Sequence, residues 1–300
     1  MDEDGTVLER RAEPLGILGV PHGDFAGAFA KVIGDWSRDQ PDLPAIASGM
    51  IGSRQGWLEA PYVDAPAGLS AVAAALVTVP TTGLRIVPGV AQRGRSPDVM
   101  RGEETQIFGV LAERAELASR ATFVMPGTHS KWVQVADGQI ARFTTYMTGE
   151  LFAVLRGHSI LGRLASSGPA SSVEAAQPAF TRGVLRAADA DGLAGLLFSA
   201  RAEVLVGDLS ADFSLEYLSG LLIGDEVRAG LAGGDRPDAL IGEPALCARY
   251  ASALESLGVP DVPIVEDAAP AGLWSIASRA IPTLQRGEGS SRRPVSGRSN

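Results

Sequence analysis

Residues 121–147 read ATFVMPGTHSKWVQVADGQIARFTTYM. Runs rich in Val, Phe, Trp, Tyr and Thr at 121–126, 131–136 and 139–147 follow one another closely. β-Branched and aromatic residues favour extended backbone, so this spacing predicts three strands in succession. Asp137-Gly138 joins the last two and suits a two-residue hairpin turn. The link before them, Pro126-Gly127-Thr128-His129-Ser130-Lys131-Trp132, is crowded with polar groups. Gly127 lets the backbone approach a ligand closely. The turn's N–H groups and the hydroxyls of Thr128 and Ser130 are donors suited to phosphate oxygens. Lys131 adds charge, and His129 can donate or accept. An ordinary polar turn is the bland alternative, but so many donors together favour a phosphate cradle.

Upstream, the pattern predicts a strand, a short break and a strand over 6–18, a helix over 23–36 and a strand over 44–50. An Ala-rich helix follows over 67–79, then a strand over 84–89 and a helix over 99–119 capped by Asp98. Downstream, helices are expected near 150–163, 173–188, 190–205 and 211–232. The strand-helix pairs 238–242 with 243–258 and 262–267 with 269–280 close the pattern. The fold class is α/β in two domains, 1–120 and 121–284. The polar Gly/Ser/Arg-rich tail 285–300 is predicted to be disordered. A cleft between two such domains is a common place for a small-molecule site.

Composition narrows the function. A net charge of -9 argues against nucleic acid or an anionic membrane as a main partner. One cysteine, Cys247, excludes an internal disulfide and a multi-cysteine zinc site. The histidines are scattered, and His22 and His158 read as structural or surface residues, so the sequence names no metal ligands. The acidic start MDEDGTVLERRAEP has no apolar core of a secretory signal, and no apolar stretch is long enough to span a bilayer. A cytoplasmic protein is expected, with a homodimer left open.

The segment FVMPGTHSKWVQVADGQIARFTTYMTGELFAVLRGHSILG (123–162) closely resembles the 2-dehydro-3-deoxygalactonokinase family. So do ASGMIGSRQGWLEAPYV (47–63), IVPG with PDVMRGEETQIFG (86–109), and LIGEPALCARYASALESLG (240–258). The resemblance covers roughly 5–280 and implies the two-domain actin-like, ribonuclease H-like sugar kinase fold with an interdomain cleft. It implies ATP-dependent phosphorylation of a 2-keto-3-deoxy sugar acid at its terminal hydroxyl, in galactonate catabolism, with Mg²⁺. Family members open with a strand carrying an Asp-Trp-Gly-Thr-Ser phosphate turn. MDEDGTVLERRAEPLGIL instead matches the family's second and third strands. The first domain is therefore expected to lack its N-terminal strand. The alternative is a catalytically impaired relic that binds sugar acid or nucleotide.

On this resemblance each motif takes a role. Arg54 is the natural bidentate partner of a sugar-acid carboxylate, with Ser53, Gln55 and Trp57 beside it to bond or pack on the sugar. Glu103 and Glu104 are candidates for the carboxylate near the attacking hydroxyl or Mg²⁺. Glu103, two residues before Thr105, fits the family pattern better. The turn 127–131 would hold ATP phosphates. Thr148 would cap a helix whose N-terminus faces phosphate or sugar acid. Gly242, with Glu243, would lie against the adenosine.

Overall fold

The computed structural model describes residues 1–164, 173–190 and 192–281, so the expected tail at 285–300 lies outside it. The stretch 121–147 folds as its pattern predicts. Strands β8 (Arg120–Met125), β9 (Ser130–Ala136) and β10 (Gln139–Tyr146) pair antiparallel in sequence order. Asp137 and Gly138 have φ of 50° and 70°, the left-handed values that a tight hairpin turn demands. From Ala121 to Met125 every residue of β8 is buried, so both of its faces are covered.

Contacts divide the chain into two compact units, Leu117–Asp267 and Met1–Glu116 with the segment from Ala268. The division falls after Glu116 rather than after residue 120, and the segment from Ala268 joins the first unit. Helix α9 (Ala269–Ala280) packs on α3 and α2 of the first unit rather than staying with the second half.

In the unit Leu117–Asp267 the strands lie in the order β12-β11-β8-β9-β10. Strands β11 (Ala239–Ile241) and β12 (Ile264–Val265) run parallel to one another, and β11 runs parallel to β8. The helices are α4 (Thr148–His158), α5 (Val173–Ala188), α6 (Ser199–Leu205), α7 (Ser214–Leu231) and α8 (Pro244–Ser256). One core joins Val124, Trp132, Phe180, Val184, Val227, Leu240 and Tyr250. A second gathers Leu161, Tyr217, Leu218 and Leu221. Helix α6 is shorter than the expected 190–205, since the chain before Ser199 forms only turns among its described residues.

The other unit holds α1 (Phe25–Asp39), α2 (Leu69–Ala74), α3 (Glu103–Glu113) and α9. Its strands are β1 (Ile46–Ala47), β2 (Tyr62–Asp64), β3 (Ala67–Gly68), β4 (Val77–Thr78), β5 (Arg85–Ile86), β6 (Gly89–Gln92) and β7 (Asp98–Met100). They form small sheets in the orders β1-β5-β4 and β2-β6-β7. Three expectations fail here. Residues 6–16 form no strand; Arg11 donates to the Val32 carbonyl and stacks on Trp36, so the segment lies along α1. The Ala-rich helix stops at Ala74 because Val77 and Thr78 pair antiparallel with β5. Helix α3 begins at Glu103, not Val99. Asp98 to Met100 are paired with β6, and Gly102, at φ 109°, breaks the chain direction before the helix. No helix among the described residues is long and apolar enough to cross a membrane.

Candidate active site

The first unit brings together two motifs that lie some fifty residues apart in sequence. A Cβ at Gly102 would come within 3.2 Å of the Gly49 Cα, and one at Gly52 within 3.0 Å of Arg101 Nη1. The loop of GMIGSRQGW therefore rests on the turn that opens α3. Arg54 projects outward, its side chain 86% exposed, with Glu59 at 3.7 Å. Gln55 is also exposed. Ser53 is buried, and its Oγ has no hydrogen-bond partner; the same holds for Nε and Nη1 of Arg101. Arg101 otherwise donates through Nη2 to the Ala60 carbonyl at 2.8 Å and lies over the Tyr62 ring. Trp57 is half-buried; it meets Phe25 and Phe29 and packs on the core of Leu84 and Ile86.

Glu103 and Glu104 occupy the first turn of α3, where the helix dipole favours negative charge. They are not equivalent. Glu103 is half-buried and accepts from the Arg101 N–H at 2.9 Å. Glu104 is wholly buried and accepts from the Gly102 N–H at 2.7 Å and from the Thr105 hydroxyl at 2.9 Å. Burial raises the Glu104 carboxyl from its ordinary 4.5 to about 7, and the neighbouring Glu103 charge works in the same direction.

In the second unit the turn 127–131 splits into two faces. Thr128 and His129 are exposed, whereas Ser130 and Lys131 are buried at the start of β9. His129 Nε2 lies 2.5 Å from Glu150 Oε2, and the Glu150 N–H donates to the Thr128 carbonyl at 3.0 Å. A Cβ at Gly149 would stand 2.5 Å from the Gly127 carbonyl oxygen, so the start of α4 is seated directly on the turn. The fold itself leaves room at Gly127, where a Cβ would meet no atom beyond its chain neighbours closer than the His129 carbonyl oxygen at 3.9 Å.

Ser130 turns inward, its Oγ 2.8 Å from the Tyr250 hydroxyl. Thr148 does not cap α4; Met147 holds the cap position, and the Thr148 hydroxyl donates to Glu226. Glu226 also accepts from Trp132 Nε1 at 3.0 Å and from the Tyr250 hydroxyl at 2.6 Å. This carboxylate is 1% exposed, and burial raises its pKa, against the pull of those hydrogen bonds. The sequence reading passes over it. Its signal is Asp225-Glu226 interrupting the apolar run 217–231, since a buried acid must have partners.

Above the network opens a cavity of about 580 Å³, lined among others by Gly127, Thr128, Thr148, Gly149, Arg156 and Tyr250. At the end of β11, Gly242 adopts φ 148°, a conformation that favours glycine. Glu243 is committed to capping α8, accepting from the N–H groups of Ala245 and Leu246 at 3.0 and 2.7 Å. Among the described residues no group of three or more His, Cys, Asp or Glu side chains is arranged to hold a metal ion.

Comparison with known proteins gives this geometry its context. The profile of the 2-keto-3-deoxy-galactonokinase family matches residues 1–276. A probable 2-dehydro-3-deoxygalactonokinase of Rhizobium meliloti is 41% identical over 289 residues, 93% of this chain and 92% of the relative. The 2-dehydro-3-deoxygalactonokinase of Escherichia coli is 36% identical over 274 residues, 90% of each chain. The crystal structure of a Sinorhizobium meliloti protein assigned to 2-dehydro-3-deoxygalactonokinase superposes with a TM-score of 0.84 at 38% identity, covering 94% of both chains. With a profile match that runs through both units and relatives this similar along nearly their whole length, the chain belongs to the 2-keto-3-deoxy-galactonokinase family.

Proposed function

We propose that the protein transfers the γ-phosphoryl group of ATP to the terminal hydroxyl of 2-dehydro-3-deoxygalactonate, giving the 6-phosphate and ADP in galactonate catabolism. The observation that carries this reading is the family match along 1–276, which includes every motif of the candidate site. The two units are read as those of the actin-like sugar kinase fold.

The first unit takes the sugar acid. Arg54 is the exposed guanidinium free to swing onto a carboxylate. The buried polar atoms of Ser53 and Arg101 that lack protein partners mark the same loop as one built around a further polar group. Glu103 is the carboxylate that receives the proton of the attacking hydroxyl, because Glu104 is sealed and already accepts two hydrogen bonds. Glu104 positions it by fixing the Gly102 turn.

The second unit takes the nucleotide. Gly127 and Thr128 border the cavity, and the space over Gly127 admits a phosphate close to the backbone. Gly242 would meet the adenosine. Ser130 supports the turn from inside rather than binding phosphate. Mg²⁺ enters with ATP, since this ion keeps most of its waters and needs one or two carboxylates rather than a protein cage. It would neutralise charge on the transferring phosphoryl group.

A coupled ADP-release assay tests the reading. Turnover is expected only with ATP and 2-dehydro-3-deoxygalactonate together, and its absence under saturating conditions would overturn the assignment. In the same assay Arg54→Ala should weaken sugar-acid use by roughly 1.5–3 kcal/mol, the scale of a hydrogen bond to a charged group. Nucleotide affinity should hold. An unchanged sugar-acid KM removes Arg54 from the site.

A further inference from the structure

We infer that Glu226 sets the hydrogen-bond polarity of the cavity wall, so that Thr148 meets a ligand hydroxyl there and not a phosphate oxygen. Glu226 is a positioning residue, and the hydrogens around it fix this polarity. Trp132 Nε1 can only donate, and it donates to Glu226 Oε1. Tyr250 donates its single hydroxyl hydrogen to Oε2, and Thr148 donates its own to the same oxygen. With the Tyr250 hydrogen spent on Glu226, Ser130 donates to Tyr250 at 2.8 Å in preference to the Gly127 carbonyl at 3.4 Å. With Glu226 ionised, the hydrogens of Trp132, Tyr250 and Thr148 all point to its carboxylate, and that of Ser130 points to the Tyr250 oxygen.

Thr148 and Tyr250 both line that cavity. Thr148, its hydrogen committed, offers the cavity lone pairs alone. An ionised phosphate oxygen is also only an acceptor, and the two would repel. A ligand hydroxyl has the hydrogen that Thr148 lacks. That hydroxyl belongs either to the ribose of the nucleotide or to the sugar acid, and the chemistry is the same for both. The inference rests on the reading that this cavity is part of the kinase site.

Isothermal titration of the full chain with ADP, 2′-deoxyADP, 3′-deoxyADP, pyrophosphate and 2-dehydro-3-deoxygalactonate separates the sources. Thr148→Val keeps the shape and removes the acceptor. If the ribose is seated there, Thr148→Val should bind ADP about tenfold more weakly, while the deoxy analogue lacking the seated hydroxyl is unaffected. If the sugar acid is seated there, its affinity falls about tenfold and that of ADP does not. Thr148→Ser should restore the parent pattern in either case.

Glu226→Gln adds a readout that simple loss of packing would not give. Trp132 can only donate, so the amide oxygen must face it and the amide NH₂ must face Thr148 and Tyr250. The polarity reverses, and the same ligand should weaken while its deoxy analogue does not. Should Glu226→Gln fail to fold, the two Thr148 variants carry the test. No change for any ligand in Thr148→Val overturns the inference, as does an equal loss for ADP, both deoxy analogues and pyrophosphate. A parent protein that binds neither ADP nor the sugar acid would instead overturn the kinase reading on which the inference rests.

Discussion

At the scale of single residues, Glu103 and Glu104 show how adjacent carboxylates part company. Neighbours on a helix point about 100° apart, so one faces the loop and the other the interior. Burial holds Glu104 protonated up to about pH 7, against an ordinary 4.5. The sign follows. A carboxyl with a raised folded-state pKa contributes stability that is present below 4.5 and lost as pH rises through 7, because the unfolded chain releases the proton first. The span from 4.5 to about 7 corresponds to roughly 3 kcal/mol. Glu104→Gln imitates the neutral acid at every pH. Urea unfolding should find it close to the parent near pH 4.5 and more stable by up to that amount at pH 8. A parent-minus-variant difference that stays flat across this range would show that Glu104 is ionised throughout.

At the scale of elements, two seats of backbone on backbone position the groups of the site. The start of α4 rests on the turn through Gly149, and α9 crosses α3 where a Cβ at Gly272 would stand 1.8 Å from the Thr105 carbonyl oxygen. Neither contact leaves room for a methyl group, and overpacking of this kind costs about 1–3 kcal/mol. The two substitutions should be separable by ligand. Gly149→Ala displaces the 127–129 turn, so MgADP binding should weaken at least several-fold with sugar-acid affinity kept. Gly272→Ala shifts α3 and its carboxylates, so the sugar acid should suffer and MgADP should not. Calorimetric titration of both variants with both ligands decides this, and identical losses in all four titrations would mean that each glycine acts only through global stability.

At the scale of the whole molecule, ligands that bind the folded chain must stabilise it by mass action. A ligand at about 100 times its Kd contributes about 2.7 kcal/mol. MgADP and the sugar acid, assigned to different units, should each raise the unfolding temperature, and together raise it further. Scanning calorimetry with each ligand and with both makes the check. If the first ligand to saturate abolishes the shift from the second, the two compete for one site and the assignment of ligands to units is wrong. The net charge of -9 adds that duplex DNA should produce no shift.

What local chemistry can encode was legible along the chain. The β-branched and aromatic runs at 121–147, with Asp137-Gly138 between the last two, specified the strands and the hairpin. The long motifs 47–63, 86–109, 123–162 and 240–258 specified the family. Helix ends were less legible. Asp98 looks like a cap and the 67–79 run looks helical, but pairing with β6 and with β5 overrode both preferences. The roles within the site were decided by tertiary structure. Ser130 and Thr128 are alike as hydroxyl donors in sequence, and only packing turns one to Tyr250 and leaves the other exposed. Glu226 lies 78 positions from Thr148 and 94 from Trp132, so no local pattern could announce that they share one carboxylate. A hydrogen bond depends on where the folded backbone carries its donor and acceptor, and that placement is a property of the whole unit.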